Sequence, residues 1–324
     1  MGSSSGSAVA ANLALVSLGT ETLGSVISPA SCNMVVGFKP TYNWTSTKGI
    51  IPLIPSLDTV GVLTRTVQDS HLVMEVLHDN KPKCSALDLP KKIGIISPVN
   101  DPPLQEKFNA AIAHLKTKIQ VQENLNFSPE FVDMEAVMAL MTNEFKHHIN
   151  QYLSQGTNPL SLKDIINYNI KHNHTTNSSP QEILEDADGR DGDLDDELHL
   201  ANKARITTEL RIKIEQFMDK NNLDAIMIPS VSSQNDLIIP DLAGFPIITI
   251  PAGLVNSSVP QGLSLYTKQN NECIILSLAS TLEHISALKR SPPKFYFASS
   301  SASQAPPRAT ILASILLLFT ANLR

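Results

Sequence analysis

Apolar residues recur at helical spacing in several stretches of the chain. In "TVQDSHLVMEVLHD", Val67, Leu72, Val73, Val76 and Leu77 share one face of a helix. "PPLQEKFNAAIAHLKTKI" predicts an amphipathic helix with prolines at its start, where the missing N–H costs nothing. "EAVMALMTNEFKHHINQYL", "PLSLKDIINYNIKHN" and "ECIILSLASTLEHI" predict three more. Short β-branched runs closed by Gly or Pro predict strands in "NMVVGFKP", "KKIGIISP", "LDAIMIPS" and "FPIITIPAG", with weaker alternation in "QGLSLYTK". Near the start, "SGSAVAANLALVSL" predicts a close-packed helix after a serine cap, and "GTETLGS" a turn. An acidic loop is expected from Glu182, feeding one long helix that ends near Asn221. Strands and helices interleave, which argues an α/β domain over residues 1–295, its sheet shared between strand-rich blocks at the two ends. Residues 296–324 form a separate low-complexity and apolar tail.

Composition narrows the function classes. Of 324 residues, 42% are hydrophobic, enough for a sizeable core. A net charge of −6 gives no electrostatic reason to expect nucleic acid, and 5% aromatic residues argue against base-stacking platforms. Cys32, Cys84 and Cys273 are odd in number and far apart, so they are read as buried free thiols with no metal spacing or disulfide framework. The apolar stretch of the tail, 15 residues, is shorter than the ~20 of a membrane-spanning helix. Its polar-then-apolar order matches a lipid-anchor tail, but a frayed or non-native terminus is the preferred reading. No secretory signal is read, and sequons at Asn43, Asn173, Asn177 and Asn256 are taken as chance matches; the compartment is left open.

Hydrolysis of an amide needs an activated nucleophile and fixed N–H donors for the developing oxyanion. A tight glycine turn carrying a serine meets both needs, because small residues let backbone N–H groups converge. "TETLGS" offers such a turn, with Ser25 as nucleophile and the N–H groups of Thr22, Leu23, Gly24 and Ser25 as oxyanion donors. His71, His78, His147 and His148 lack the G-x-S-x-G context of an α/β-hydrolase. Asp58 in "LDTVG" is read as fixing a loop through backbone N–H groups, and Lys39 as a hydrogen-bonding lysine, since a base would need burial that a Pro-flanked loop rarely gives. Asp186, Asp188 and Glu197 match EF-hand positions, but Arg190 and Asp191 break the loop, so no metal site is read.

The run "GSSSGSAVAANLALVSLGTETLGSVISPASCNMVVGFKPT" resembles the amidase signature family. "GIIPLIPSLDTVGVLTRTVQDSHLVMEVL", "NNLDAIMIPS", "LAGFPIITIPAG" and "PQGLSLYTKQNNECIILSLASTLE" extend the likeness to about Leu288. The resemblance implies a mixed β-sheet flanked by helices, and a serine–cis-serine–lysine triad acting through an acyl-serine. It makes Ser25 the nucleophile and Ser3 the cis-serine that relays the proton, and it implies no cofactor. The Ser3–Ser25 spacing is 22, two residues shorter than usual. Two residues turn a helix by roughly 200°, so Ser4 or Ser5 are alternative relays. Leu23 stands where the family prefers glycine or an acid, and no arginine follows Ser25. The family's lysine lies upstream of the serine cluster, where no position of this chain matches it. The chain is therefore read as the C-terminal two-thirds of an amidase acting on a small-molecule or peptide amide, with impaired activity. The alternatives are a non-catalytic relative and a component of a glutamine-dependent amidotransferase.

Overall fold

The computed structural model describes residues 3–77, 84, 89–96, 102–125, 127, 132–172, 181–230, 234–255, 259–285 and 288. The chain divides into two units, Met1–Pro292 and Pro293–Arg324. The second unit, and with it the tail expected over 296–324, lies outside the described residues, as do His78 and the sequons at Asn173, Asn177 and Asn256.

Eight strands form one sheet: β1 (Ser17–Glu21), β2 (Val36–Lys39), β3 (Thr59–Thr64), β4 (Lys92–Ile96), β5 (Gln120–Leu125), β6 (Ala225–Pro229), β7 (Ile247–Val255) and β8 (Val259–Tyr266). Their order is β1-β3-β2-β7-β8-β6-β4-β5. β4 runs parallel to β5 and β6, and the remaining neighbours are antiparallel, so the sheet is mixed. β2 pairs with β7 through Gly37↔Thr249, Phe38↔Ile248 and Lys39↔Ile247, which joins the two ends of the sequence in the middle of the sheet.

Period-2 side-chain alternation divides these strands between two cores. Met227, Ile248, Ile250 and Leu265 pack with α3 (Val67–Leu77), α4 (Pro102–Lys116) and α11 (Glu272–Glu283) on one face. Ile226, Ile228 and Ile247 pack with α5 (Met134–Ser154), α9 (Leu210–Lys220) and α10 (Gln234–Leu242) on the other. α6 (Leu162–Lys171) opens on a capping box between Ser161 and Asp164. It packs with α5 and α7 (Glu182–Gly189) in a small outlying core.

Three sequence expectations are corrected. The first helix, α1 (Ser3–Ala10), stops early: the chain turns through Asn12, at φ +59°, and Ser17–Glu21 pair with β3 instead. Ladder bonding to a neighbouring strand overrides the helix propensity of an Ala/Leu run. The acidic run is partly helical, because Glu182–Gly189 is amphipathic enough to bury Ala187. The long helix expected after it is present and continuous as α8 (Glu197–Lys203), a π-helical turn (Ala204–Glu209) and α9, with helical backbone at both joints. Cys84 and Cys273 form a disulfide across 189 residues, while Cys32 is free but exposed. Spacing along a chain carries no information about such proximity.

Candidate active site

Ser25 sits in the turn between β1 and α2 (Ile27–Cys32), with its side chain partly exposed. Gly24 precedes it at φ +86°, where an L side chain is strained. α2 lies close on β2, because Gly37 removes the Cβ that would meet the Ala30 methyl at 2.5 Å. The turn is thus pressed against the central strands.

Three buried carboxylates hold it. Glu21, the last residue of β1, accepts from the Val26 and Ile27 N–H groups and so caps the first turn of α2. Asp58, just before β3, accepts the Thr22 hydroxyl at 2.6 Å on one oxygen; its other oxygen accepts the N–H groups of Leu53 and Ile54 at 2.8 and 3.1 Å. The loop-fixing role expected of Asp58 is therefore present, and it extends to the turn. Asp241, near the end of α10, accepts the Gly24 N–H at 2.7 Å. Sequence reasoning missed Asp241 and Glu21. Asp241 has no local motif, and its meeting with Gly24 spans 217 residues.

Lys39 completes the cluster. It is 1% exposed, against the expectation for a Pro-flanked residue, because β2 lies between β3 and β7 in the sheet interior. Its ammonium donates to the carbonyls of Phe245 (2.6 Å) and Pro40 (3.2 Å) and lies 3.8 Å from the Asp241 carboxylate. That is the hydrogen-bonding role read from the sequence. Next to it, Thr41 donates its N–H to Glu272 at 3.0 Å.

Burial dominates the electrostatics here. It pushes Glu21 well above the usual carboxylate range, and the Asp241 charge adds to the rise. It pushes Asp241 up to about 6 against the pull of Lys39 and the Gly24 N–H. It lowers Lys39, against the charges of Asp241, Glu21 and Glu272. Two acids facing one ammonium in a dry pocket cannot all ionise cheaply; Glu21 is the one pushed furthest toward its protonated form, and Asp241 is the carboxylate beside Lys39.

The serine cluster leads into α1, which packs on β1 and α2. Ser5 donates to the Leu18 carbonyl at 3.1 Å, Ser4 is exposed, and Ser7 donates to Asn33 at 3.1 Å. The Ser3 side chain lies outside the described part. There is no cis peptide bond among the described residues, and the bond expected to be cis, Gly2–Ser3, includes a residue outside them. Of the four N–H groups expected to hold an oxyanion, those of Thr22, Leu23, Gly24 and Ser25, the Gly24 N–H is engaged by Asp241. Asp58 also borders a cavity of about 400 Å³ between the 47–58 loop and α5, lined by His148, Gln151 and Tyr152 among others. His147 bonds the Gly192 carbonyl and His71 pairs with Glu75, so neither serves the turn. No group of metal-ligating residues occurs among the described residues, and no described helix is long and apolar enough to cross a membrane.

The model of the Amidase family matches residues 2–276. The Arabidopsis thaliana protein named "Probable amidase" is 32% identical over 329 residues, covering 91% of this chain and 61% of that protein. A glutamyl-tRNA(Gln) amidotransferase subunit of Orientia tsutsugamushi is 28% identical over 91% of this chain and 68% of its own length. Among solved structures, an amidase family protein from Bacillus anthracis superposes with a TM-score of 0.80 at 25% identity, over 90% of this chain and 61% of that one. The peptide amidase of Stenotrophomonas maltophilia gives 0.79 at 28% identity, over 90% and 66%. The chain thus spans about three fifths to two thirds of the length of these relatives.

Proposed function

Because the chain belongs to the amidase signature family, we propose that it hydrolyses carboxylic amides through an acyl-serine formed on Ser25. The observation that carries this reading is the Ser25 turn itself: a partly exposed hydroxyl after a positive-φ glycine, on a backbone fixed by Glu21, Asp58 and Asp241. Ser25 Oγ attacks the amide carbonyl and gives up its proton through the serine cluster headed by Ser3. Turn N–H groups take the negative charge of the tetrahedral intermediate. The C–N bond then breaks, the amine leaves with a proton, and water cleaves the acyl-serine to the acid. The fold's likeness to a peptide amidase supports a small-molecule or peptide amide as substrate.

The test is hydrolysis of an aryl amide and of a C-terminally amidated peptide by the full chain and by Ser25→Ala. Turnover that falls by at least ~10³-fold in the variant supports the reading, by analogy with loss of a nucleophile elsewhere. Equal rates in both proteins overturn it. The likeness to the glutamyl-tRNA(Gln) amidotransferase favours a second reading, in which the same chemistry releases ammonia from glutamine within a complex. Glutaminase activity that emerges only with partner proteins would select it.

A further inference from the structure

Asp241 is 2% exposed, comes from a segment 217 residues away, and places a carboxylate oxygen 2.7 Å from the Gly24 nitrogen, one residue before Ser25. We propose that Asp241 is a positioning residue for Ser25, fixing the backbone of the nucleophile turn through the Gly24 N–H. This rests on Ser25 being the nucleophile.

A glycine at positive φ is the most freely rotating joint of the turn, and the orientation of the Gly24–Ser25 peptide sets both the Ser25 hydroxyl and its own N–H. The charge-assisted hydrogen bond from the Gly24 N–H to this buried carboxylate fixes the Leu23–Gly24 peptide plane, from which the φ of Gly24 carries the chain to Ser25. Asp241 is itself held by α10 and by Lys39 at 3.8 Å, and Lys39 is locked by the Phe245 carbonyl at 2.6 Å. The groups that bear on the charge of Asp241 are Lys39, Glu21 from β1 and, through Lys39, Glu272 from α11. The Asp241 carboxylate at the Gly24 N–H also removes that group from the expected oxyanion donors, which leaves that role to the N–H groups of Thr22, Leu23 and Ser25. Ionisation of Asp241, raised to about 6, then governs how firmly the turn is set.

The test is the rate at which a fluorophosphonate phosphonylates Ser25 in the full chain. In that step the Oγ–P bond forms as the P–F bond breaks, and the serine proton leaves with the fluoride. Wild type is expected to label at Ser25 with a rate that rises through about pH 6. Asp241→Asn is expected to label at least ~10-fold more slowly at pH 8 and to lose the limb near pH 6, while Asp241→Glu recovers part of both. Asp241→Asn removes the charge that helps keep Glu21 protonated, so Glu21 can ionise beside Lys39 in its place and folding is expected to survive, as a melting curve would show. A second measurement needs no variant: amide exchange protection of the segment carrying Gly24 should fall between pH 7 and pH 5 in the unaltered protein. Wild-type rates in Asp241→Asn, a retained limb, or protection independent of pH would each overturn the proposal. Absence of labelling at Ser25 in wild type would instead remove the reading on which it rests.

Discussion

The Cys84–Cys273 bridge gives the sharpest quantitative expectation. It closes a loop across 189 residues and ties the first turn of α11 to the segment that follows α3. In the chain-entropy model a loop of this length restricts the unfolded state by roughly 18 cal/mol/K, or about 5 kcal/mol at 25 °C. Native disulfides commonly deliver about 2–5 kcal/mol, so the upper half of that range is expected here. For a unit of this size the unfolding entropy is of order 0.6 kcal/mol/K, so the melting temperature should drop by about 5–8 °C. The perturbation is Cys273→Ser, with dithiothreitol on the wild type as a second route. The assay is the urea midpoint and calorimetric melting of both proteins, with and without reductant. Wild type should lose stability on reduction while Cys273→Ser is unaffected. The urea slope should rise on reduction, because the open chain exposes more surface when unfolded. A melting temperature unchanged within a degree on complete reduction would overturn this expectation, since the entropy of the loop does not depend on packing details.

Lys39→Met should cost about 3–5 kcal/mol in a urea titration, because it leaves two buried carboxyls without the ammonium beside them; an equal midpoint would show that Glu21 and Asp241 stay neutral without it. The raised acids fix a pH dependence. The native state holds protons that the unfolded chain has released between about pH 4 and about pH 6, so the contribution of Asp241 to stability falls as pH rises through that window. Asp241→Asn should therefore gain on wild type by up to roughly 3 kcal/mol between pH 4 and pH 7, read from urea midpoints at each pH. Gly24→Ala meets no atom within 4 Å, so only backbone strain of about 1–2 kcal/mol is expected. Gly37→Ala must displace the Ala30 methyl and should cost at least ~1–3 kcal/mol more, and melting of the pair decides whether conformation or packing dominates at each glycine.

What is legible in the sequence is whatever local pattern encodes. β2, β4, β6 and β7 announce themselves as short β-branched runs, and α3, α4, α5, α6 and α11 as helical periods. The Ser25 turn is legible as Gly-Ser chemistry, and its family as an ordered set of motifs. β1 is hidden because "SLGTE" has small and polar residues whose extended form comes from pairing with β3. β5 is hidden because an edge strand with exposed Gln120, Glu123 and Asn124 carries little apolar signal. The acids behind the turn escape for another reason. Glu21 stands in the motif, but its burial beside Asp241 depends on a chain reversal that no window of sequence contains. The Cys84–Cys273 pairing is of the same kind.

The bond between Gly24 and Asp241 has a consequence for the timing of biosynthesis. Its two halves are separated by 217 residues, and the β2–β7 pairing that brings them together is separated almost as widely. At ribosomal speeds of ~5–20 residues per second, the serine turn would wait roughly 10–40 s for the segment that completes it. During that interval the Ser25 hydroxyl sits on an unset backbone, so any chemistry proposed for it should begin only once the late strands have emerged and docked.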